Sequence, residues 1–466
     1  MTALDLAGNG KAPSRADALA QWSRALSVLL FLSSIAALIF QLGWQGALVR
    51  RFGDDAELMT ILMLALGLGV GGLIGGLLSR RSPLLLLAAF GAIHGACGYV
   101  WPTVNDSADG WAPGWALSLA PVLASALLTG AMLPAVLGPL IRRTGNPGSA
   151  FGDGLFAVML GAAVACLVSV SLLRPLFGDW AAPSIAMALD AIVIVGALAT
   201  HWRIRRSALF IDTTLPQRTP LLALAPVLLL ATAAGALAMS YVLFFARAVS
   251  YATAPSQPAF VATLAAFLLG LAAGAHRAGR HCALFSVEEL MRRAARSAMA
   301  ANLIGLMALP LIDQLAWLDR AVIVAAMLLC VLIARACGAL LPYLAELAIT
   351  TDAPAGWRSA LLCGAYVAGA AAGAWMTGQV LIEQFGFVAI GTGLVIAGVF
   401  YTLLLVALLD LPRWQKVVRG VTAAAVALLA LALLPSWSPN VVEKIQAKAA
   451  ADASPTIGIE RDRGRS

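Results

Sequence analysis

Charged side chains are scarce in this chain: 12% of its 466 residues, against 61% hydrophobic. A soluble domain carries roughly 25% charged and 45–50% apolar residues, so most of this chain has lipid for its solvent. Acidic residues are the scarcer sign, 23 against 31 basic, for a net charge of +8. On a soluble protein that balance would point to nucleic acid. Here the arginines gather in short junctions between apolar runs, as they do in cytoplasmic loops, so no nucleic-acid partner is expected. There are only four histidines (94, 201, 276 and 281). Of these, only His94 falls well inside a predicted span, and no second ligand stands three or four residues from it, so no metal or haem site is predicted. Six cysteines (97, 166, 282, 330, 337 and 363) form no CxxC pair and read as small core residues rather than a disulfide frame or a zinc site. No serine sits in a nucleophile elbow. No strand, glycine-rich turn and helix with a following acidic residue marks a nucleotide-type fold. The expectation is therefore no cofactor and no catalytic constellation. The first 24 residues are polar, without the basic end and short apolar core of a cleavable signal peptide.

What the sequence has is apolar runs, and it has them twice. About 20 apolar residues cross a bilayer core. Such runs are predicted at about 25–47, 57–79, 83–104, 115–141, 149–173 and 181–201. A second set lies near 220–246, 257–279, 294–314, 320–345, 357–382 and 387–411, with a thirteenth near 418–437. The two sets match. Ala37, Leu38 and Phe40 answer to Ala238, Met239 and Tyr241, and Gly67 and Gly71 to Gly270 and Gly274. Gly130-Ala-Met-Leu-Pro134 recurs as Gly338-Ala-Leu-Leu-Pro342, and Phe156 and Phe177–Gly178 recur as Tyr366 and Phe385–Gly386. The offset drifts only from 201 to 210, so one unit of about 200 residues is duplicated.

Six spans is an even number, so both copies enter the membrane from the same side. They form parallel repeats about an axis along the membrane normal, the arrangement of major-facilitator transporters. The predicted fold is an all-α polytopic membrane protein of two parallel six-helix repeats plus one extra C-terminal transmembrane helix. Its divisions are a cytoplasmic segment 1–24, repeats at 25–201 and 220–411, a basic linker 202–219, the extra helix 412–437 and a disordered tail 438–466. Charge orients it. Arg80–Arg81, Arg142–Arg143, Arg203/Arg205/Arg206/Arg218, Arg277/Arg280/Arg292/Arg293/Arg296 and Arg413/Lys416/Arg419 all fall on one side. That side is the cytoplasm by the positive-inside rule, which puts the N-terminus inside a bacterial-type inner membrane.

Ionisable groups at mid-depth cost about 2.5–3.5 kcal/mol on insertion scales, which makes them functional candidates. Asp190 lies near the middle of the sixth span and Arg335 well inside the tenth, where the first copy has Leu127. They suit either a structural ion pair or a site for a zwitterion or proton between the halves. Gln41 and Trp44 near the outer end of the first span, with Arg247 in the corresponding place on the seventh, suit a solute vestibule or interfacial anchoring. The glycine ridge Gly67, Gly71 and Gly75, echoed by Gly270 and Gly274, suits close helix packing or a sliding surface. Pro134 and Pro342, in matching helices, predict matching kinks.

The opening pattern of the repeat resembles the membrane region of the spermidine-synthase-like membrane proteins, approximately F-x-S-G-x-A-A-L-x-Y-E-x-x-W-x-R followed by a glycine-rich helix. Phe31, Ser33, Ala36, Ala37, Leu38, Phe40 and Trp44 fit it; Gln41 stands for the Glu and Gly46 for the Arg. The second copy keeps Arg247, with Val242 at the acidic position and Phe245 for the Trp. His276-Arg-Ala-Gly-Arg280 also resembles the major-facilitator loop D-R-x-G-R with His for Asp. The resemblance covers roughly residues 25–411 and implies a transporter-like domain with a polyamine-related small polar solute. It also implies, as the alternative, a non-transporting subunit that anchors or feeds a separate cytoplasmic synthase-like enzyme. Where the family fuses a synthase domain, 29 residues follow the last helix here, too few for adenosyl-cofactor chemistry. A polycation would need buried carboxylates, and Asp190 stands nearly alone, with Glu57, Asp153, Glu346 and Glu383 near helix ends.

Overall fold

The computed structural model describes residues 15–445, apart from 53–54, 108–113, 178–180, 207–219, 254–256, 316–320, 353, 438–439 and 441. Most of the basic linker, the first 14 residues and the tail beyond 445 thus lie outside the described residues, and with them the expectation of disorder in the tail. The first repeat holds α1 (Arg15–Phe52), α2 (Asp55–Leu78), α3 (Pro83–Ser107), α4 (Gly114–Thr144), α5 (Pro147–Val168) and α6 (Ala181–Arg206). The second holds α7 (Leu224–Thr253), α8 (Gln257–Leu284), α9 (Val287–Leu315), α10 (Ala321–Gly338, resuming at Leu340–Ala348), α11 (Ala355–Trp375) and α12 (Phe387–Leu408). Then comes α13 (Arg413–Trp437). Among the described residues, twelve helices are long and apolar enough to cross a membrane, and Met63–Leu78 of α2 is a further, shorter apolar stretch. The helices stop where local chemistry stops them. Gly145, with φ 69°, ends α4 in the left-handed region that favours glycine. Asn146 then caps α5 by accepting from the Ser149 N–H, with Pro147 opening the helix.

Packing reproduces the duplication. Within the first repeat α2 lies on α4, α1 on α5 and α3 on α6; within the second α8 lies on α10, α7 on α11 and α9 on α12. Two seams join the halves, α5 against α8 and α2 against α11. Exchanging the halves turns one seam into the other, the signature of a two-fold axis along the bundle. This is the parallel-repeat architecture predicted from the even span count. The extra helix α13 leans on α9 and α12, outside the repeats.

Glycine makes the seams. A Cβ on Gly279 of α8 would stand 2.9 Å from the Gly152 Cα of α5, and one on Gly148 would stand 2.5 Å from Cys282 Sγ. In the other seam a Cβ on Gly356 of α11 would run into Ser79 at the end of α2. Small residues let backbones meet without a hydrophobic driving force between helices in lipid. Gly152→Leu is therefore expected to part α5 from α8 and destabilise the protein by about 1–3 kcal/mol, the usual range for overpacking. A thermal unfolding curve in detergent checks this; an unshifted curve would mean the seam is slack.

Two features depart from expectation or went unpredicted. α10 breaks at Ala339, four residues after Arg335, while α4 runs unbroken through Pro121, Pro134 and Pro139. At the matching prolines the helix thus breaks in the second repeat and runs on in the first. Pro342 lacks an N–H to bond the Gly338 carbonyl, and the chain turns there; the matching carbonyl, that of Gly130, lies inside a continuous helix. Conversely, wider π-turns occur at Ser169–Leu173, after α5, and at Met376–Leu381, after α11. These are corresponding places in the two repeats, and π-turns within helices are frequent at functional sites.

Candidate functional site

Asp190 of α6 is 1% exposed and His94 of α3 wholly buried. Asp190 Oδ2 meets His94 Nδ1 at 2.8 Å, and His94 Nε2 meets the Ser125 hydroxyl of α4 at 2.8 Å. Three helices of the first repeat thus contribute one residue each, at mid-depth, to a carboxylate–imidazole–hydroxyl chain. The aromatic wall comes from α1: the Phe40 ring stands edge-on to His94 at 4.8 Å and stacks on Trp44 at 5.1 Å. Glycine again makes room. Gly95 faces the Asp190 side chain, and a Cβ on Gly98 would run into the Phe40 ring. Asp190 Oδ1 is buried with no hydrogen-bond partner.

The duplication holds a counterpart without the charge. On α9 and α12 the Asn302 amide donates to the Thr402 hydroxyl at 2.8 Å. There the glycine is Gly398 of α12, facing Asn302, so polar and small residues have traded helices relative to Gly95 and Asp190. Tyr241 crowds Gly305 as Phe40 crowds Gly98. The first half carries an acid–imidazole couple where the second carries an amide and a hydroxyl.

The order Asp–His–Ser is that of a hydrolase triad, but Ser125 is 0% exposed and offers no approach to an ester. What the couple can do is hold a proton. In lipid a lone carboxylate or imidazolium is expensive. The couple is neutral overall as an ion pair, or as neutral acid and neutral imidazole; each form holds one proton more than the bare carboxylate with a neutral ring. Among the described residues, no Lys or Arg ion-pairs with it; α1 presents Phe40, α3 Gly95 and α4 Ser125.

The other predicted candidates are not brought to it. Arg335 lies exposed on α10, in line with exposed Val324, Leu328 and Leu332, its carbonyl packed against Gly274 of α8. Asp190 therefore pairs with histidine inside the first bundle rather than with Arg335 between the halves. α6 leans on α3 and α1, away from either seam. Gln41, Trp44 and Arg247 form no common vestibule. Trp44 is 1% exposed in the core of the first bundle, because its turn of α1 faces Phe40. Gln41 keeps a buried Nε2 without a hydrogen-bond partner. Arg247 is exposed over the Tyr251 ring, at a cleft lined by Phe244, Phe385 and Phe387 in the second half.

Two further ionisable residues, His276 and Asp153, stand on helices of the seam itself. His276 lies inside α8, which runs on to Leu284, rather than near the end of a span. Its ring packs on Phe156 of α5 at 4.8 Å and its Nδ1 is buried without a partner. Asp153 of α5 follows Gly152, which meets Gly279 of α8 across the same seam. Among the described residues, no three His, Cys, Asp or Glu side chains converge as a metal site.

No protein-family model and no curated relative matches the sequence. Solved structures match in three dimensions. A bacterial homologue of the iron transporter ferroportin, in its outward-facing state, superposes with a TM-score of 0.55 at 12% identity, over 82% of this chain and 98% of that one. The E. coli fucose:proton symporter FucP superposes with a TM-score of 0.54 at 14% identity, over 88% and 99%. A further structure of FucP, described as a major facilitator superfamily transporter in the outward conformation, gives 0.50 at 13%, again over 88% and 99%. The chain has the major-facilitator fold. At these identities the likeness is one of fold and extends to no substrate. Within this fold the seams α2–α11 and α5–α8 are the surfaces along which the halves meet, and the Asp190–His94 couple lies behind them in the first half.

Proposed function

We propose that this chain is a transporter of the inner membrane, N-terminus in the cytoplasm, that moves a small polar solute by rocking its halves, with a proton held on the Asp190–His94 couple. One observation supports the reading above the rest. A buried acid–imidazole couple sits at mid-depth in one half of a two-fold pair of bundles, whereas the other half has an uncharged pair in its place. A purely structural contact has no need of charge there, since Asn302 and Thr402 satisfy the same geometry neutrally. While sealed, the couple cannot exchange its proton; movement of the halves is what would wet it. FucP, of the same fold, is named as a proton symporter, which fits this reading. The polyamine relation rests on the opening pattern alone, and the cytoplasmic side on the arginine bias alone.

The test uses purified full-length protein in liposomes loaded with a pH dye. Spermidine, lysine, glutamate, fucose and ferrous iron are each added outside under no imposed gradient. The expected result is a lumenal pH change with one class of solute, lost in Asp190→Asn. If no solute moves protons, and solute counterflow is also absent, the transport reading falls and the alternative of a membrane subunit for a separate enzyme takes its place.

A further inference from the structure

We propose that the basic end of α9 and the start of α13 form a binding site for the phosphodiester headgroup of an anionic phospholipid. This inference is independent of whether the chain transports. α9 opens with Glu288, Glu289, Arg292, Arg293 and Arg296, and one carboxylate serves three guanidinium groups. Glu289 Oε1 accepts a hydrogen bond from Arg296 Nη2 at 2.5 Å, and the same carboxylate forms ion pairs with Arg292 Nε and Arg293 Nε, each at 3.0 Å. Glu288 reaches only Arg292, at 3.7 Å. Arg293 is also held by the ring nitrogen of His281 at 3.3 Å and lies over the Phe285 ring at 3.8 Å, so its position is fixed from two sides.

A fourth guanidinium comes from outside the repeats. Arg419 stands on α13, which leans on α9, and its Nη1 is buried without a hydrogen-bond partner. Three guanidinium groups thus share one well-placed carboxylate, and the fourth has an N–H left over. A phosphate takes paired guanidinium donors in bidentate geometry, and one carboxylate among several arginines leaves charge for it to balance.

The surface below says which phosphate. α13 carries Trp414, Val417, Val418, Val421 and Leu428 exposed on its outer side. An indole at the helix start above an aliphatic stripe suits a headgroup with acyl chains running down the helix. A soluble phosphate would have no use for that stripe. The duplicated fold closes without α13, so this site also gives the extra helix a role, as one jaw of a lipid clamp against α9.

The experiment uses the full chain in dodecyl maltoside, with native mass spectrometry counting bound lipid and thermal unfolding as a second readout. The probes are phosphatidylglycerol, phosphatidylcholine with the same acyl chains, and soluble glycerol phosphate. Wild type is expected to retain phosphatidylglycerol and to gain several degrees of unfolding temperature from it, but not from the other two. In the Arg296→Gln/Arg419→Gln double variant, affinity should fall at least tenfold; Arg81→Gln, at the same end but outside the cluster, should bind as wild type does. The mass measurement is made where every variant is folded, so a lower basal stability does not mask the count. Equal retention of phosphatidylglycerol by the double variant overturns the proposal. Glycerol phosphate doing as well as the lipid overturns it too, in favour of a soluble ligand.

Discussion

Asp190→Ala is expected to lower the folded yield and thermal stability of the protein severely, whereas Asp190→Asn leaves both nearly intact. Removing one partner of a buried pair costs about 3–5 kcal/mol, since the other is left without compensation. Here that other is His94, wholly buried, held at one nitrogen by Ser125 and walled by Phe40. Alanine strands its Nδ1 and opens a void at the α3–α6 contact, which Gly95 cannot fill. Asparagine keeps an oxygen that accepts from an Nδ1–H and carries no charge that needs a partner, so the neutral imidazole stays satisfied. Asp190→Ala combined with His94→Ala should recover part of the loss, because no polar group is then orphaned. Unfolding temperature and monodispersity in detergent measure all three. A single Asp190→Ala variant as stable as wild type would mean that the couple is not formed. The asparagine variant then separates the roles: it keeps the hydrogen bond and removes the group that can hold a proton as an acid, so proton-linked uptake should vanish while the protein inserts and folds.

Much of the fold was legible because lipid makes sequence speak plainly. Runs of about 20 apolar residues have one use, and a drift of only 201 to 210 between copies leaves the duplication in plain view. Parallel halves followed from an even span count and nothing else. Helix ends were less legible. α8 runs to Leu284, beyond the predicted 279, so His276 lies two turns inside the helix rather than at its end. The site was half legible. Asp190 stood out because a mid-span charge is costly. Its partners did not, because a test at i+3 and i+4 looks along one helix, whereas His94 is 96 residues away on another. The signal that existed was the pairing of depths: Asp190, His94 and Ser125 each fall nine to eleven residues into their helices. Arg335 misled for the opposite reason. Depth alone does not say which side of a helix a residue takes, and its line of Val324, Leu328 and Leu332 is an exposed one.

Glu346→Gln is expected to open the basic end of the protein, raising the rate at which the Cys282 thiol is alkylated by about tenfold. At that end the two seams are built unequally. Gly148 at the start of α5 donates its N–H to Glu346 Oε2 of α10 at 2.7 Å, and Asn146 Nδ2 donates to the Cys282 carbonyl of α8 at 2.9 Å. The repeat-related position to Glu346 in the first half is Gly138, and the partner of Gly148 is Gly356. In that second seam Gly138, Gly356 and Ser79 meet by packing, without a carboxylate. One seam therefore meets here by glycine packing, and the other adds a charge at a helix N-terminus, where the aligned peptide dipoles favour an anion by up to about 2 kcal/mol in partly buried geometry. Glutamine keeps an acceptor for the Gly148 N–H and removes the charge, so what is lost is this electrostatic part, and each 1.4 kcal/mol of it is about a factor of ten in the open population. Cys282 reports that population without an engineered probe, because it is 5% exposed and its Sγ lies where a Cβ on Gly148 would stand. With the other five cysteines replaced, alkylation by a membrane-permeant maleimide counts openings directly. Ser79→Ala, on the seam without a carboxylate, should leave the rate within about twofold of wild type, since it removes a hydroxyl bonded to its own helix at Gly76. If Glu346→Gln labels no faster than Ser79→Ala, glycine packing alone holds the halves together, and the charge on α10 serves something other than the gate.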